Sequence, residues 1–313
     1  INMSESNKRN FIVHGSILAI AGILVRIIGM LYRIPVVNII GSEGNGIYGA
    51  AFNIYNIMLV LSSYGLPMAV SKLVSARFTK RRYKSAAKVL RCSLMVAVCT
   101  GGIAALLVFF GASFIENVIY GGGLPGLAIP LRILAPTIFL VAILGVIRGF
   151  FQGQSTMIPT AVSQILEQIV NAIVSIAAGY GMMKAFASSP DVAAYGAAGS
   201  TLGTAMGALT AVLFMGFLYA VYTPTFNRLK RKDRHTENQS TGEICKIIIY
   251  TMIPIILGQT FYQISALIDD VMFSNIMVGR DITKSISMDL GNFSSSYSLL
   301  IGIPQGVASA MSA

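Results

Sequence analysis

Apolar residues run in long unbroken stretches along this chain, and polar residues gather in short segments between them. A helix needs about 20 apolar residues to cross the hydrocarbon core of a bilayer. Eight stretches reach that length, at roughly 11–40, 46–73, 86–114, 124–151, 157–184, 193–222, 245–278 and 290–313. None alternates apolar and polar residues as the strands of a transmembrane barrel do, so each is predicted as a helix. The longest polar segment, 227–243, reads as a charged linker that divides six spans from a remainder of two.

The remainder echoes the beginning. Gly65-Leu66-Pro67-Met68-Ala69-Val70-Ser71 closes the second span, and Gly302-Ile303-Pro304-Gln305-Gly306-Val307-Ala308-Ser309 opens the last twelve residues of the eighth. Internal repeats are a common architecture of secondary transporters. The expectation is therefore an N-lobe of six helices over 1–226, a cytoplasmic linker over 227–243 and the start of a second lobe over 244–313. The chain stops inside an apolar helix, and a full repeat would need about four further spans.

Composition agrees with the pattern. Of 313 residues, 55% are hydrophobic and 11% charged, with a mean hydropathy of +0.72. Soluble domains carry about 25% charged residues, so a soluble enzyme and a disordered chain are excluded. The net charge of +11 is not a nucleic-acid patch, because its distribution follows the membrane. Seventeen Lys and Arg fall on one side of the spans, chiefly in 72–91 and 228–246, and three on the other. Such a bias sets the more basic loops in the cytoplasm, and with them the N-terminus. Three cysteines and two histidines form no disulfide framework or metal cluster, and no phosphate-binding loop is present. No cofactor is implied. Cys92 and Cys99, one heptad apart, read as small core residues.

Six ionisable residues lie well inside spans: Arg26, Arg33, Arg132, Glu167, Asp269 and Asp270. Each costs about 2.5–3.5 kcal/mol at the bilayer centre if it faces lipid, so each is expected to face protein or water. Arg26 and Arg33 share a helix face with Gly22 and Gly29. Gln164, Glu167, Gln168, Asn171 and Ser175 form a polar stripe on the fifth span, and Asn53, Asn56 and Ser63 a similar one on the second. Two readings follow. The arginines border a water-filled cavity for an anionic headgroup, with Glu167, Gln164 and Asn53 beside them; or they form interhelical ion pairs, such as Arg26 with Glu167. Asp269 and Asp270 divide in the same way between ion coupling and a salt bridge between lobes. Gly199-xxx-Gly203-xxx-Gly207 is expected to serve close helix packing.

Three stretches carry a family resemblance. They are Val25-Arg26-Ile27-Ile28-Gly29-Met30-Leu31-Tyr32-Arg33-Ile34-Pro35 with Gly41-Ser42-Glu43-Gly44-Asn45-Gly46-Ile47-Tyr48, the Gly65-Leu66-Pro67 segment, and Arg148-Gly149-Phe150-Phe151-Gln152-Gly153 running on to Glu167-Gln168. Together they resemble the SpoVB-like polysaccharide biosynthesis proteins of the multidrug/oligosaccharidyl-lipid/polysaccharide exporter superfamily, with the lipid II flippases as relatives. The resemblance implies an all-α integral membrane protein of MATE-like two-lobe transporter fold, here a six-helix N-lobe and the first two helices of a second lobe. It implies a bacterial inner-membrane location and alternating access. The cargo would be an undecaprenyl-pyrophosphate-linked saccharide, lipid II foremost, moved from the inner to the outer leaflet. Arg26 matches the first essential arginine of the flippase relatives, and Arg33 stands one residue out of register with the second. Arg33 and Arg132 would complete the pyrophosphate site. A monovalent cation at Asp269 or Asp270, or the membrane potential, would drive the cycle. A cation-coupled multidrug exporter and a non-transporting scaffold in envelope or spore assembly are the alternatives.

Overall fold

The computed structural model describes residues 5–233, 239–280 and 286–293. Among them the regular structure is helical: α1 (Glu5–Ser62), α2 (Leu66–Thr79), α3 (Tyr83–Phe114), α4 (Ala128–Gln152), α5 (Ile158–Ala185), α6 (Val192–Lys232), α7 (Thr241–Val278) and α8 (Ile286–Phe293). A short π-helical turn, Ile115–Ile119, ends α3. Six helical stretches are long and apolar enough to span a bilayer.

The first of these holds two crossings. α1 breaks at Gly41, whose φ of 70° and ψ of 177° are open to glycine and closed to residues with a Cβ. In a straight helix Arg33 and Tyr48, fifteen residues apart, would be separated by about 22 Å. Instead the Arg33 guanidinium lies 5.4 Å from the centre of the Tyr48 ring, so the chain folds back at Gly41. The arms 5–40 and 42–62 thus correspond to the first two predicted spans. The second span is interrupted at its Gly65-Leu66-Pro67 segment: residues 63–65 leave the helix, and α2 restarts with Pro67 in its first turn. Proline is tolerated there because the first amides of a helix lack partners anyway. The second copy of this motif, 302–313, and most of the eighth span lie outside the described residues.

α6 continues to Lys232 and so takes in the first six residues of the segment expected to be linker. Lys230, Arg231 and Lys232 fill its last turn, where cations offset the negative end of the helix dipole. α7 starts on Ser240 with a capping box: Ser240 Oγ accepts from the Glu243 amide at 3.2 Å, and Glu243 Oε2 accepts from the Ser240 amide at 3.0 Å.

Two apolar clusters lie at opposite ends of the bundle. At the basic end Leu66, Val70, Val74, Val89, Phe150 and Phe226 close around Ile244 and Ile248 of α7. At the other end Ile47, Ala51, Tyr120, Leu131, Ile138 and Ala197 pack together with Ile286 of α8. Cys92 is buried as expected, but Cys99 is exposed, on the outward side of α3 with Val98 and Ile103. Between α5 and α6 the small-residue face works as predicted. A Cβ on Gly203 would overlap Ser175 Oγ and stand 2.6 Å from the Asn171 carbonyl oxygen, and one on Gly207 would stand 2.6 Å from the Glu167 carbonyl oxygen.

At the end opposite the basic loops, α8 crosses the start of the second arm of α1 through reciprocal glycine contacts. A Cβ on Gly46 would overlap the Ser287 carbonyl oxygen, and one on Gly291 would overlap the Ser42 carbonyl oxygen. Asn45 Nδ2 donates to the Gly291 carbonyl at 2.9 Å. Close by, Ser274 Oγ of α7 donates to the Tyr120 carbonyl at 2.8 Å and Asn275 Nδ2 to the Ile119 carbonyl at 2.7 Å. Two small-xxx-small segments, Ser42 to Gly46 and Ser287 to Gly291, thus fasten α8 to this end of the bundle, and Ser274 and Asn275 fasten α7 there.

Candidate functional site

A cavity of about 340 Å³ opens between the two arms of α1 and helices α7 and α8. Its polar lining is Arg33 from the first arm, Asn53 and Asn56 from the second, and Asp269 and Asp270 from α7. Asn53 and Asn56 face it together because they lie three residues apart on one helix. Gly46, Gly49 and Ala50 give it room, and Leu290 and Phe293 of α8 close one side.

Arg33 is the cation of this site. Its guanidinium lies over the face of Tyr48, an arrangement that holds the planar group by cation–π attraction. Its Nε is buried and bonds to no acceptor. The Arg148–Glu167 pair is the single salt bridge between described residues, so Arg33 has no carboxylate within 4 Å even though two aspartates line the same cavity. Asp270 is held by Asn53, whose Nδ2 donates to Oδ2 at 2.6 Å, and this bond ties α1 to α7 across the cavity. Asp269 is more exposed than its neighbour.

The other predicted residues stand apart from this lining. Arg26 is exposed and has no hydrogen-bond or ion-pair partner among the described residues. Seven residues before Arg33, it lies on the same helix face about 10 Å further along. That face looks toward α5, since a Cβ on Gly29 would lie 3.1 Å from Gln168 Nε2. The Arg26–Glu167 pair considered from sequence does not form. Glu167 is taken by Arg148, whose Nη2 donates to Oε2 at 2.7 Å while its Nε donates to Ser163 Oγ at 2.9 Å. Gln164 is half-buried on α5, outside the cavity lining. Arg132 is exposed on α4, next to the fully buried Leu131, and donates to Ser113 Oγ of α3 at 2.9 Å. The remaining α5 stripe serves packing: Asn171 Nδ2 donates to Tyr32 Oη at 3.3 Å, and Ser175 Oγ meets both Asn171 Oδ1 and the Ser200 carbonyl.

Two residues of consequence escaped the sequence reading. Arg148, three residues before the end of the predicted fourth span, is one of the seventeen cations counted on the basic side. A short connection joins α4 to α5, so Ser163 and Glu167 come back alongside it at about 8 and 14 Å into α5. Arg148 and Glu167 occur in one motif stretch, the signal that could have paired them. Tyr48 was an unremarked aromatic in the Gly-rich turn segment, and only the fold-back at Gly41 sets it under Arg33.

The chain is 34% identical over 176 residues to the lipid II flippase MurJ of Bacillus subtilis, a match covering 54% of this chain and 32% of that protein. It is 30% identical over 210 residues to the stage V sporulation protein B of the same organism, covering 66% of this chain and 39% of that one. The chain therefore spans well under half the length of these two relatives. A solved MATE transporter in its straight conformation superposes with a TM-score of 0.69 at 18% identity, over 97% of this chain and 63% of that one, and shares the fold. The family model for polysaccharide biosynthesis proteins matches residues 12–313, nearly the whole chain. By that match, the chain belongs to the polysaccharide biosynthesis protein family.

Proposed function

We propose that this chain forms part of a flippase for a lipid-linked saccharide, with the pyrophosphate of the carrier lipid bound at Arg33. The observation that carries the reading is the state of that arginine: a guanidinium inside a polar cavity, aligned by an aromatic ring and paired with no carboxylate among the described residues. An intramembrane cation without a partner is costly, and an anion entering the cavity relieves that cost. Guanidinium suits phosphate because its planar N–H groups meet two oxygens at once and stay charged. Arg26, on the same face and unpaired, extends the positive surface along the first arm. Arg132 would act at the mouth of α3 and α4 if the headgroup reaches it.

The cavity lies between helices of the expected first lobe and helices that begin the second. A rocking motion of one against the other would change access to it, as alternating access requires. With the basic loops in the cytoplasm, the glycine crossing of α8 on α1 seals the outer end. The substrate would enter from the inner leaflet of the bacterial inner membrane, its lipid tail remaining among the acyl chains. No step in this transport needs an enzymatic nucleophile or a cofactor.

A second element rests on Asp269 and Asp270, which line the same cavity. A monovalent cation between them and the bound phosphate would balance charge and couple transport to an ion gradient. The test is lipid II translocation in proteoliposomes containing the protein. Arg33→Ala should lower the rate at least tenfold, with part of it restored by Arg33→Lys. Equal rates for Arg33→Ala and the native protein would refute the proposal. Asp270→Asn should abolish dependence on a sodium or proton gradient if the cation reading holds, and leave it unchanged if it does not.

A further inference from the structure

A second cavity, of about 370 Å³, lies at the basic end of the bundle between α3, the end of α6 and the start of α7. Four cations line it: Lys84, Lys88 and Arg91 from α3 and Lys230 from α6. The spacing on α3 explains the convergence, since positions 84, 88 and 91 recur at i, i+4 and i+7 on one helix face. Among the described residues no acid lines this cavity. Among the described residues the two nearby carboxylates are engaged elsewhere: Asp233 is buried and accepts from the Lys84 amide at 2.9 Å, and Glu243 caps α7 through the Ser240 amide. Lys88 Nζ donates to the Gln239 carbonyl, and the Lys230 ammonium lies 5.2 Å from the Phe226 ring centre. Neither contact neutralises charge. The cavity is therefore a cluster of like charges that an anion would stabilise.

Its surroundings say which anion. Met95 is half-exposed in the cavity wall, and from it Val98, Ile103 and Leu106 continue along α3 as an exposed apolar strip. From residue 95 to 106 this strip rises about 17 Å, close to the depth of one leaflet's hydrocarbon. Ile249, Tyr250 and Ile253, about 12–18 Å along α7 from Thr241 of the cavity wall, are likewise exposed. A cationic cup one turn above a leaflet-deep apolar strip matches a molecule with a phosphate at one end and acyl chains at the other. Basic pockets between helices on the cytoplasmic side are a known means of holding such headgroups.

We infer that Lys84, Lys88, Arg91 and Lys230 form a binding site for the phosphate group of an anionic membrane phospholipid, separate from the central cavity. The bound lipid bridges α3 to the end of α6 beside Thr241, the first residue of α7, and so steadies the end of α6 from which the chain passes on to α7.

The test is retention of lipid by the detergent-purified protein, read by native mass spectrometry after titration with phosphatidylglycerol or phosphatidylcholine. The native protein should retain phosphatidylglycerol at least tenfold better than phosphatidylcholine. The variant Lys84→Gln/Lys88→Gln/Arg91→Gln/Lys230→Gln should lose that preference. A charge-matched variant, Lys72→Gln/Lys80→Gln/Arg228→Gln/Arg231→Gln, removes four exposed cations outside the cavity and should keep it. If the quadruple cavity variant does not fold, Arg91→Gln and Lys84→Gln alone, both at exposed positions, should each weaken retention severalfold. Unchanged preference in the cavity variants, or equal loss in the charge-matched one, would overturn the inference. A third arm titrates inorganic phosphate without lipid. Displacement of phosphatidylglycerol by micromolar phosphate would make this a soluble-anion site and would also overturn the lipid assignment.

Discussion

Breaking the Arg148–Glu167 pair is the perturbation whose size the structure defines best. The two side chains are 14% and 27% exposed, and the Nη2–Oε2 distance is 2.7 Å. At an effective dielectric of about 20 the gross attraction at that distance is roughly 6 kcal/mol. Desolvation of both ions offsets most of it, so the pair as a whole contributes little compared with an apolar replacement. Removing one partner is different, because it leaves a charge stranded between helices at a cost of about 3–5 kcal/mol for a fully buried pair. The partial exposure lets water screen the remaining ion, which argues for the lower end. Arg148→Gln should therefore destabilise the protein by about 3 kcal/mol, since the bare Glu167 carboxylate is left without its donor. Glu167→Gln should cost about 2 kcal/mol, because Arg148 keeps Ser163 and the amide oxygen as acceptors. The double variant should cost about 2 kcal/mol rather than the sum of 5, a coupling of roughly 3 kcal/mol. The assay is equilibrium denaturation of the four proteins in one detergent, closed as a double-mutant cycle. Additivity within about 0.5 kcal/mol would show that the two charges do not sense each other and would refute the reasoning.

Further outcomes follow from close packing and orphaned groups. Gly203→Ala should destabilise the α5–α6 contact by about 1–3 kcal/mol, seen as a lowered melting temperature, because its Cβ meets Ser175 and the Asn171 carbonyl. Gly291→Ala should loosen the crossing of α8 on α1, and a cysteine at position 45 should then label faster with a membrane-impermeant maleimide than in the parent background. Tyr120→Phe should leave stability unchanged or raise it by about 1 kcal/mol, since the buried Oη has no partner. Burial also pushes the Tyr120 phenol above its usual range. A raised folded-state value means stability is intact below pH 10 and falls as pH rises above it, and Tyr120→Phe should flatten that fall. Circular dichroism melts between pH 8 and 11 check both statements.

The helices were legible because lipid imposes one rule: about 20 apolar residues, every backbone group satisfied within the helix. Seven of the eight predicted spans meet described helices, and the Gly-x-Pro break in the second appears at residues 63–65. The close α5–α6 contact was legible for a similar reason, since a glycine every four residues marks a face where backbones approach. The site was legible only in part. Arg33, Asp269 and Asp270 stand out by their cost inside a membrane and Asn53 by its polar stripe, and the fold brings these four to one cavity. What the one-dimensional pattern lacked was who faces whom. Arg148, three residues before the end of the predicted fourth span, counts among the basic-side cations in the sequence, yet it lies inside α4 and pairs with Glu167. Arg132 sits one position from Leu131, and that 100° step carries it to the outside of the bundle. The fold-back at Gly41 and the approach of α7 to the second arm of α1 are tertiary facts that no periodicity encodes.

The account turns on Arg33 as the anion's partner, and direct binding is its most immediate test. Undecaprenyl pyrophosphate can be titrated into the purified protein and into Arg33→Gln and Arg132→Gln variants, with the dissociation constant read by intrinsic tyrosine fluorescence or thermal shift. Arg33→Gln should weaken binding at least tenfold, and Arg132→Gln, outside the cavity, should weaken it less than threefold. Native affinity in Arg33→Gln, or a larger loss in Arg132→Gln, would contradict the central claim.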